Sequence, residues 1–324
     1  MHERELGYIK EKGAEEKIVE KQKINLKPPL KAIIDQELLS YKYEYKYEKK
    51  KWLYYFALPL MWALTIWVAL KKKILKTKPK VNSLLFDKFS PECNQLKKYA
   101  RSWRALNIVY NYDFKNQCNK ISNFWLGMIN AQAVRNRLEL VKRELSKIII
   151  KIAEKKQDKE IRLLSIACGS AEAVIDVLSK FKNLNMKAVL LDNDPSAIKF
   201  CQELAKRAGI YDKMIFLTTS TRALPLLSKF RPHIIEMIGF LDYRPAEKAV
   251  RLIRNIRKIL MPDGIFITGN TCPNPEQFFL KWVIDWEAIY RKPKQFLTII
   301  KMGGFKNCRL LREPHKVQMI AICS

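Results

Sequence analysis

From Ile161 onward, short apolar runs alternate with stretches in which apolar residues recur every three or four positions. The clearest runs are Ile161 to Ala167 and Ala188 to Leu191, the second ending on Asp192. Strands that alternate with helices imply a mostly parallel sheet joined by right-handed crossovers. Upstream, Lys71 to Lys156 is helical in pattern with aromatic anchors at Phe86, Trp103, Tyr110, Phe124 and Trp125. Its strongest 3.6-residue period runs from Gln132 to Ile152 through Val134, Leu138, Val141, Leu145 and Ile149. The polar string Lys155 to Glu160 reads as a solvated connector, which sets a helical cap region at 71–155 and a sheet domain at 156–324.

Two further segments precede the cap. Residues 1–51 are rich in Lys, Glu and Tyr and carry no sustained apolar stripe, as expected of a charged tail. Trp52 to Leu70 has no charged residue and is bounded by Lys49 to Lys51 and Lys71 to Lys73. Since about 20 apolar residues span a bilayer core, 52–70 is expected to be one transmembrane helix, with Trp52, Tyr54, Tyr55 and Trp67 near the interfaces. Pro59 would kink such a helix without forbidding it. A buried soluble helix and a helix lying in the membrane interface are the alternatives.

The order strand, small-residue turn, helix, strand and acid over 161–194 is half of a nucleotide-binding doubly wound sheet. Small residues at Ala167-Cys168-Gly169-Ser170-Ala171 would let a ligand approach backbone N–H groups at a helix N-terminus. Asp192, about twenty residues on, is placed to accept hydrogen bonds from ribose hydroxyls. Asp194 followed by Pro195 is a helix start, so Asp194 is assigned to capping.

The same stretch resembles motifs I and II of class I S-adenosylmethionine-dependent methyltransferases. Met214 to Ser220 is similar to their third strand, and His233 to Gly239 to their fourth. Leu260-Met-Pro-Asp-Gly264 is similar to the turn opening their fifth. Phe305 to Leu311 and Val317 to Cys323 resemble their closing antiparallel hairpin. The resemblance implies a Rossmann-like, doubly wound, seven-stranded α/β fold and S-adenosylmethionine as cofactor. Short strings (Gly239-Phe-Leu-Asp-Tyr243, Gly269-Asn270, Asp285-Trp286, Tyr290-Arg291 and Asn130 to Arg137) resemble bacterial enzymes that make 3-hydroxy fatty acid methyl esters. The chain departs from the family at the turn, where Ser165 replaces the opening acid, and Ala167 and Ala171 replace two glycines. Alanine resists positive φ, so helical or extended backbone is expected at both. At Ser165 no carboxylate is present to make the contacts of the family's opening acid.

Composition adds little that chooses a partner. A net charge of +29 fits nucleic acid, an anionic membrane surface, or a lysine-rich compositional bias. The seven cysteines and three histidines show no metal-ligand spacing, so no metal is expected and reduced thiols fit best. Cys168 reads as a packing residue.

Ligands of open α/β sheets bind at the carboxyl ends of the strands. The expected cofactor residues are Ala167, Cys168, Gly169, Ser170, Ala171, Asp192, Asn193, Thr219, Ser220, Gly239 and Phe240, with Thr219 or Ser220 near the adenine. Asp242, Tyr243 and Arg291 are the catalytic candidates. Asp242 could be a base or a helix cap. Arg291, Arg135 and Arg137 could each clamp a carboxylate or sit on a solvated helix face. His233 reads as structural or exposed. The expected function is a membrane-anchored methyltransferase with its catalytic domain in the cytoplasm, acting on a small or lipidic acceptor. A nucleic-acid methyltransferase and an inactive membrane scaffold are the rivals, and Gly239 to Tyr243 lacks the Asn/Asp-Pro-Pro-aromatic signature of the first.

Overall fold

Each strand of the sheet sends alternate side chains to opposite layers, and both layers are apolar, which is why the strands read as unbroken hydrophobic runs. The computed structural model describes residues 47–48, 53–76, 83–116, 119–156 and 159–324. Seven strands, β1 (Ile161–Ile166), β2 (Met186–Asp192), β3 (Met214–Thr218), β4 (Ile234–Met237), β5 (Ile265–Thr271), β6 (Cys308–Arg312) and β7 (Gln318–Cys323), form one sheet in the order 3-2-1-4-5-7-6. Strands β1 to β5 pair in parallel; β7 runs antiparallel between β5 and β6. Strand order reverses between β1 and β4, which sets the ligand crevice beyond their carboxyl ends.

Among the described residues five α-helices and a π-helical turn (Leu84–Lys88) precede the sheet, the helices being α1 (Leu53–Ile74), α2 (Pro91–Lys98), α3 (Trp103–Tyr110), α4 (Lys120–Leu126) and α5 (Ile129–Lys156). Within it follow α6 (Glu172–Lys180), α7 (Pro195–Arg207), α8 (Ala246–Ile259), α9 (Gln277–Trp282) and α10 (Pro293–Met302). Leu163 and Leu190 pack with Leu145 and Ile149 of α5, Val174 of α6 and Cys201 of α7. On the other face Leu164 and Leu191 pack with Ile253 and Ile256 of α8 and Phe296 of α10. Helix α5 therefore belongs to the sheet's own core as well as to the cap. It also includes Lys155 and Lys156, so the expected connector is shorter than its polarity suggested.

The transmembrane expectation for 52–70 is not met: no described helix is long and apolar enough to cross a membrane. The physical reason lies in the spacing Ala57, Met61, Leu64, Val68, Lys72, a stripe along one side of α1 that is buried. The stripe shares a cluster with Phe86, Trp125, Phe279 and Val283, and Lys72 Nζ pairs with Asp285 (2.5 Å) and donates to Trp282 O (2.7 Å). A hydrophobic run committed along one side to its own domain is not a free-standing bilayer span. Pro59 lies within α1 on its exposed side.

The charged tail lies outside the described residues apart from Tyr47 and Glu48. Glu48 forms an ion pair with Arg135 and exchanges two hydrogen bonds with the Asn136 side chain. That pairing accounts for Arg135, which is neither a clamp in the crevice nor a solvated charge.

Candidate functional site

Three left-handed residues in a row of five define the turn after β1: Ala167 (φ +52°), Gly169 (φ +55°) and Ala171 (φ +49°). The expectation of helical or extended backbone at the two alanines is thus overturned. The chain keeps the path of a glycine-rich turn and holds two L-residues in a conformation that costs about 1–2 kcal/mol each. What holds them is local bonding: Cys168 N–H donates to Leu191 O (3.1 Å) and Ala171 N–H to Cys168 O (2.8 Å). A Cβ at Gly169 would lie 3.3 Å from Trp103 Cβ, so this position is glycine by contact as well as by φ. Ser170 is buried, and Cys168 is half-buried beside Cys201, both thiols free.

Asp192, at the end of β2 and 8 % exposed, secures the turn from the next strand. Its Oδ2 accepts the Gly169 N–H and its Oδ1 the Asp194 N–H, both at 2.9 Å. Asp194 caps α7 by accepting from Ser196 N (2.9 Å), as its position before Pro195 predicts. Trp103, the first residue of α3, reaches over from the cap. Its indole N–H donates to Asp194 Oδ2 and Ser196 Oγ (3.1 Å each), and its ring lies 4.8 Å from that of Phe200. Asn193 is exposed on the same loop. Thr219 N–H donates to Asp192 O (2.9 Å), while the Ser220 hydroxyl accepts from Arg222 N at the start of a 3₁₀ turn.

The other half of the crevice is built on β4 and β5. Gly239 (φ +79°) follows β4, and a Cβ there would lie 3.7 Å from Arg137 Nη1. Phe240 carries the Arg244 guanidinium over its ring at 4.4 Å. Asp242 is 4 % exposed, and its Oδ1 accepts from Asn270 Nδ2 (2.8 Å) and Thr271 N (2.7 Å). Burial pushes its carboxyl up to about 6, against the pull of the Arg137 charge. The Tyr243 hydroxyl accepts from Trp286 Nε1 (2.6 Å), leaving its own proton to donate, and burial raises its pKa.

Arg291 does not lie on a helix; it sits in the extended segment between α9 and α10. Its guanidinium donates to Leu241 O (2.8 Å), Asn270 Oδ1 and Arg244 O. With these three oxygens it ties the loop after β4 to β5. Its donors thus meet protein oxygens that shape the crevice, and proline at 293 starts α10 just beyond it.

Two residues at this site, Glu236 and Gln318, were not singled out from sequence, and Tyr290 was named only within a short string. Glu236 of β4 stands opposite Ser165 of β1, and Ser165 Oγ donates to its carboxylate at 2.5 Å. A carboxylate is therefore present where Ser165 replaces the family's acid, supplied by the neighbouring strand. Burial drives the Glu236 pKa up to about 7, with Ser165 and the Ile238 N–H pulling it back. An acid inside an otherwise apolar strand was its signal. Tyr290 places a buried hydroxyl without a hydrogen-bond partner beside the Asp242 charge. Gln318 of β7 accepts from Arg137 Nη1 (3.0 Å). Of the two readings of His233, the structure shows it buried, with its Nδ1 accepting from Arg162 N (3.0 Å). No cluster of metal-ligating residues occurs among the described residues.

The residues present fit the cofactor that the resemblance implies. Each Asp192 oxygen accepts one backbone N–H, and a carboxylate has capacity for about four hydrogen bonds, which leaves room for ribose hydroxyls. Gly169 and Gly239 remove side chains at the two places where backbone borders the crevice.

Residues 163–264 match the family model of a methyltransferase domain. The solved structure of a possible exported protein from Bordetella parapertussis superposes with a TM-score of 0.60 at 15 % identity, covering 82 % of this chain and 96 % of that one. The CMeT domain of a citrinin polyketide synthase gives 0.49 at 13 % identity, over 91 % and 88 % of the two chains. A methyltransferase from Geobacter sulfurreducens bound to S-adenosyl-L-homocysteine gives 0.39 at 10 % identity, over 57 % and 89 %. At these identities the likeness is one of fold. No curated protein sequence matches the chain. The match assigns a methyltransferase domain to residues 163–264, and the turn after β1 and the sheet order agree with that fold.

Proposed function

We propose that the protein is an S-adenosylmethionine-dependent methyltransferase and that it methylates an oxygen of an amphipathic, lipid-like acceptor taken from a membrane surface on which α1 lies. The observation that carries the reading is the outer side of α1. Phe56, Leu60, Trp62, Ile66, Trp67, Leu70 and Ile74 are all exposed, next to Lys71 and Lys73, while the opposite stripe is packed on the domain. An apolar face with tryptophans and flanking lysines suits insertion at the headgroup boundary of an anionic bilayer. Phe278 of α9 is exposed beside it. The same helix leads towards the crevice: Lys72 pairs with Asp285, and the next residue, Trp286, donates to Tyr243.

Held at the Gly169 turn with Asp192 at its ribose, the cofactor would supply the sulfonium methyl as electrophile and its own thioether as leaving group. The protein's task is to align the acceptor oxygen and exclude water. A carboxylate acceptor releases no proton on methylation. A hydroxyl would pass its proton to Asp242, whose carboxyl at about 6 is ionised at neutral pH. The short strings shared with enzymes that make 3-hydroxy fatty acid methyl esters favour the carboxylate.

The nucleic-acid alternative lacks its sequence signature at Gly239 to Tyr243, and the basic groove lies elsewhere. Arg231, Arg257 and Lys258 line a groove at the amino ends of β4 and β5, the end of the sheet away from Gly169 and Asp192. The reading is tested with tritiated S-adenosylmethionine offered to fractionated lipids, small molecules and RNA. Label in a lipid fraction, lost on saponification, supports it; label confined to RNA contradicts it. Sedimentation with anionic vesicles should fall in Trp62→Glu/Trp67→Glu, and unchanged sedimentation contradicts membrane docking.

A further inference from the structure

Arg137 is buried at the crevice with its hydrogen-bonding capacity incompletely met. It is 4 % exposed on α5, yet no carboxylate among the described residues pairs with it. Its Nη1 donates to the Gln318 amide oxygen (3.0 Å) and its Nη2 to the Tyr110 hydroxyl (3.2 Å), both neutral. Its Nε has no partner at all. A buried guanidinium satisfied only by neutral oxygens, with one donor orphaned, is costly to maintain unless something completes it.

Its surroundings indicate what is missing. The guanidinium borders Gly239, where the absence of a side chain keeps the space in front of it open, and Asp242 is a charged neighbour without being a hydrogen-bond partner. Asp242 spends its Oδ1 on Asn270 and Thr271, and Glu236 spends its oxygens on Ser165 and Ile238 N–H. Tyr290, beside Asp242, carries a second buried polar atom without a partner. Burial opposes the Arg137 charge, yet Tyr110 and Asp242 hold its pKa above the ordinary value, so the cation persists at any physiological pH.

We propose that Arg137 is the receptor for a ligand carboxylate in this crevice, gripping it through the planar guanidinium. The inference rests on the methyltransferase reading. Two ligands there carry the required group: the amino-acid end of the cofactor, and an acidic acceptor. Both present a flat anion to the planar donor fork that lysine lacks.

Calorimetry on the full chain separates the sources. S-adenosylhomocysteine carries the carboxylate and 5′-methylthioadenosine does not; octanoate and octanol make the same contrast for an acceptor. In Arg137→Gln, affinity for S-adenosylhomocysteine should fall about tenfold to a hundredfold while that for methylthioadenosine stays within about twofold. If instead octanoate alone is lost and octanol is kept, the carboxylate is the acceptor's. Should Arg137→Gln fail to fold, Arg137→Lys, which keeps the charge and loses the fork, serves for the same comparison. Equal weakening of both members of each pair, or no weakening in either, overturns the proposal. A wild-type chain that binds neither nucleoside overturns the methyltransferase reading and this inference with it.

Discussion

Replacing Ala167 and Ala171 by glycine should stabilise the protein, although glycine is usually the more costly residue. At φ +52° and +49° an alanine Cβ crowds the following carbonyl, at about 1–2 kcal/mol, and glycine removes that strain. Against this, glycine gives the unfolded chain more freedom, worth about 0.4–1 kcal/mol per site. The difference is about 0.5–1 kcal/mol per substitution. The sites are four residues apart on one turn, so the double variant need not be additive. Together they should raise Tm by about 2–4 °C. Gly169→Ala is the opposite control: it adds strain at φ +55° and a contact 3.3 Å from Trp103 Cβ, and Tm should fall. Thermal unfolding followed by circular dichroism reads all three. If both alanine-to-glycine variants lower Tm, the turn does not have the left-handed geometry, and the argument that it preserves a glycine-rich path is wrong.

Other outcomes follow from the buried charges. Glu236 and Asp242 have folded pKa values raised to about 7 and about 6, so their contribution to stability is complete below about pH 4 and is lost as pH rises through those values. Glu236→Gln should flatten the decline in Tm between pH 5 and 7, with at most about 3 kcal/mol to recover; an unchanged slope would contradict this. Arg291→Lys cannot serve Leu241, Arg244 and Asn270 together and should destabilise by about 2–4 kcal/mol in a denaturant melt, whereas a neutral outcome would remove its tying role. Lys72→Met leaves Asp285 without its partner and should cost about 2–4 kcal/mol by the same measurement.

Much of the sheet was legible because buried strands leave a signal that depends only on local sequence. Ile161 to Ile166, Met214 to Thr218 and the turn around Gly169 fall where apolar runs and small residues mark them. Helix α1 was misread for a related reason. An uncharged run of tryptophan, leucine and alanine looks alike whether it faces lipid all round or rests one side on Phe86 and Phe279; only the spacing of Ala57, Met61, Leu64 and Val68 hints at the difference. The alanines of the turn misled because propensity states what a residue prefers. It does not state what Leu191, Asp192 and Cys168 can hold in place by hydrogen bonds. Arg137, Glu236, Tyr290 and Gln318 reach the crevice from α5, β4, the segment before α10 and β7, and no periodicity in the chain announces such a meeting. Glu236 was the most readable of them, since an acid in Ile-Ile-Glu-Met-Ile requires a partner, which Ser165 provides.

Cofactor binding depends most directly on Asp192, whose two oxygens fix the Gly169 turn and remain able to receive a sugar. Isothermal calorimetry of S-adenosylhomocysteine with the full chain and with Asp192→Asn is the decisive measurement. Wild type should bind, and the variant should bind at least about tenfold more weakly while melting within a few degrees of wild type. Undiminished affinity in a natively folded Asp192→Asn protein would contradict the placement of the cofactor at this turn.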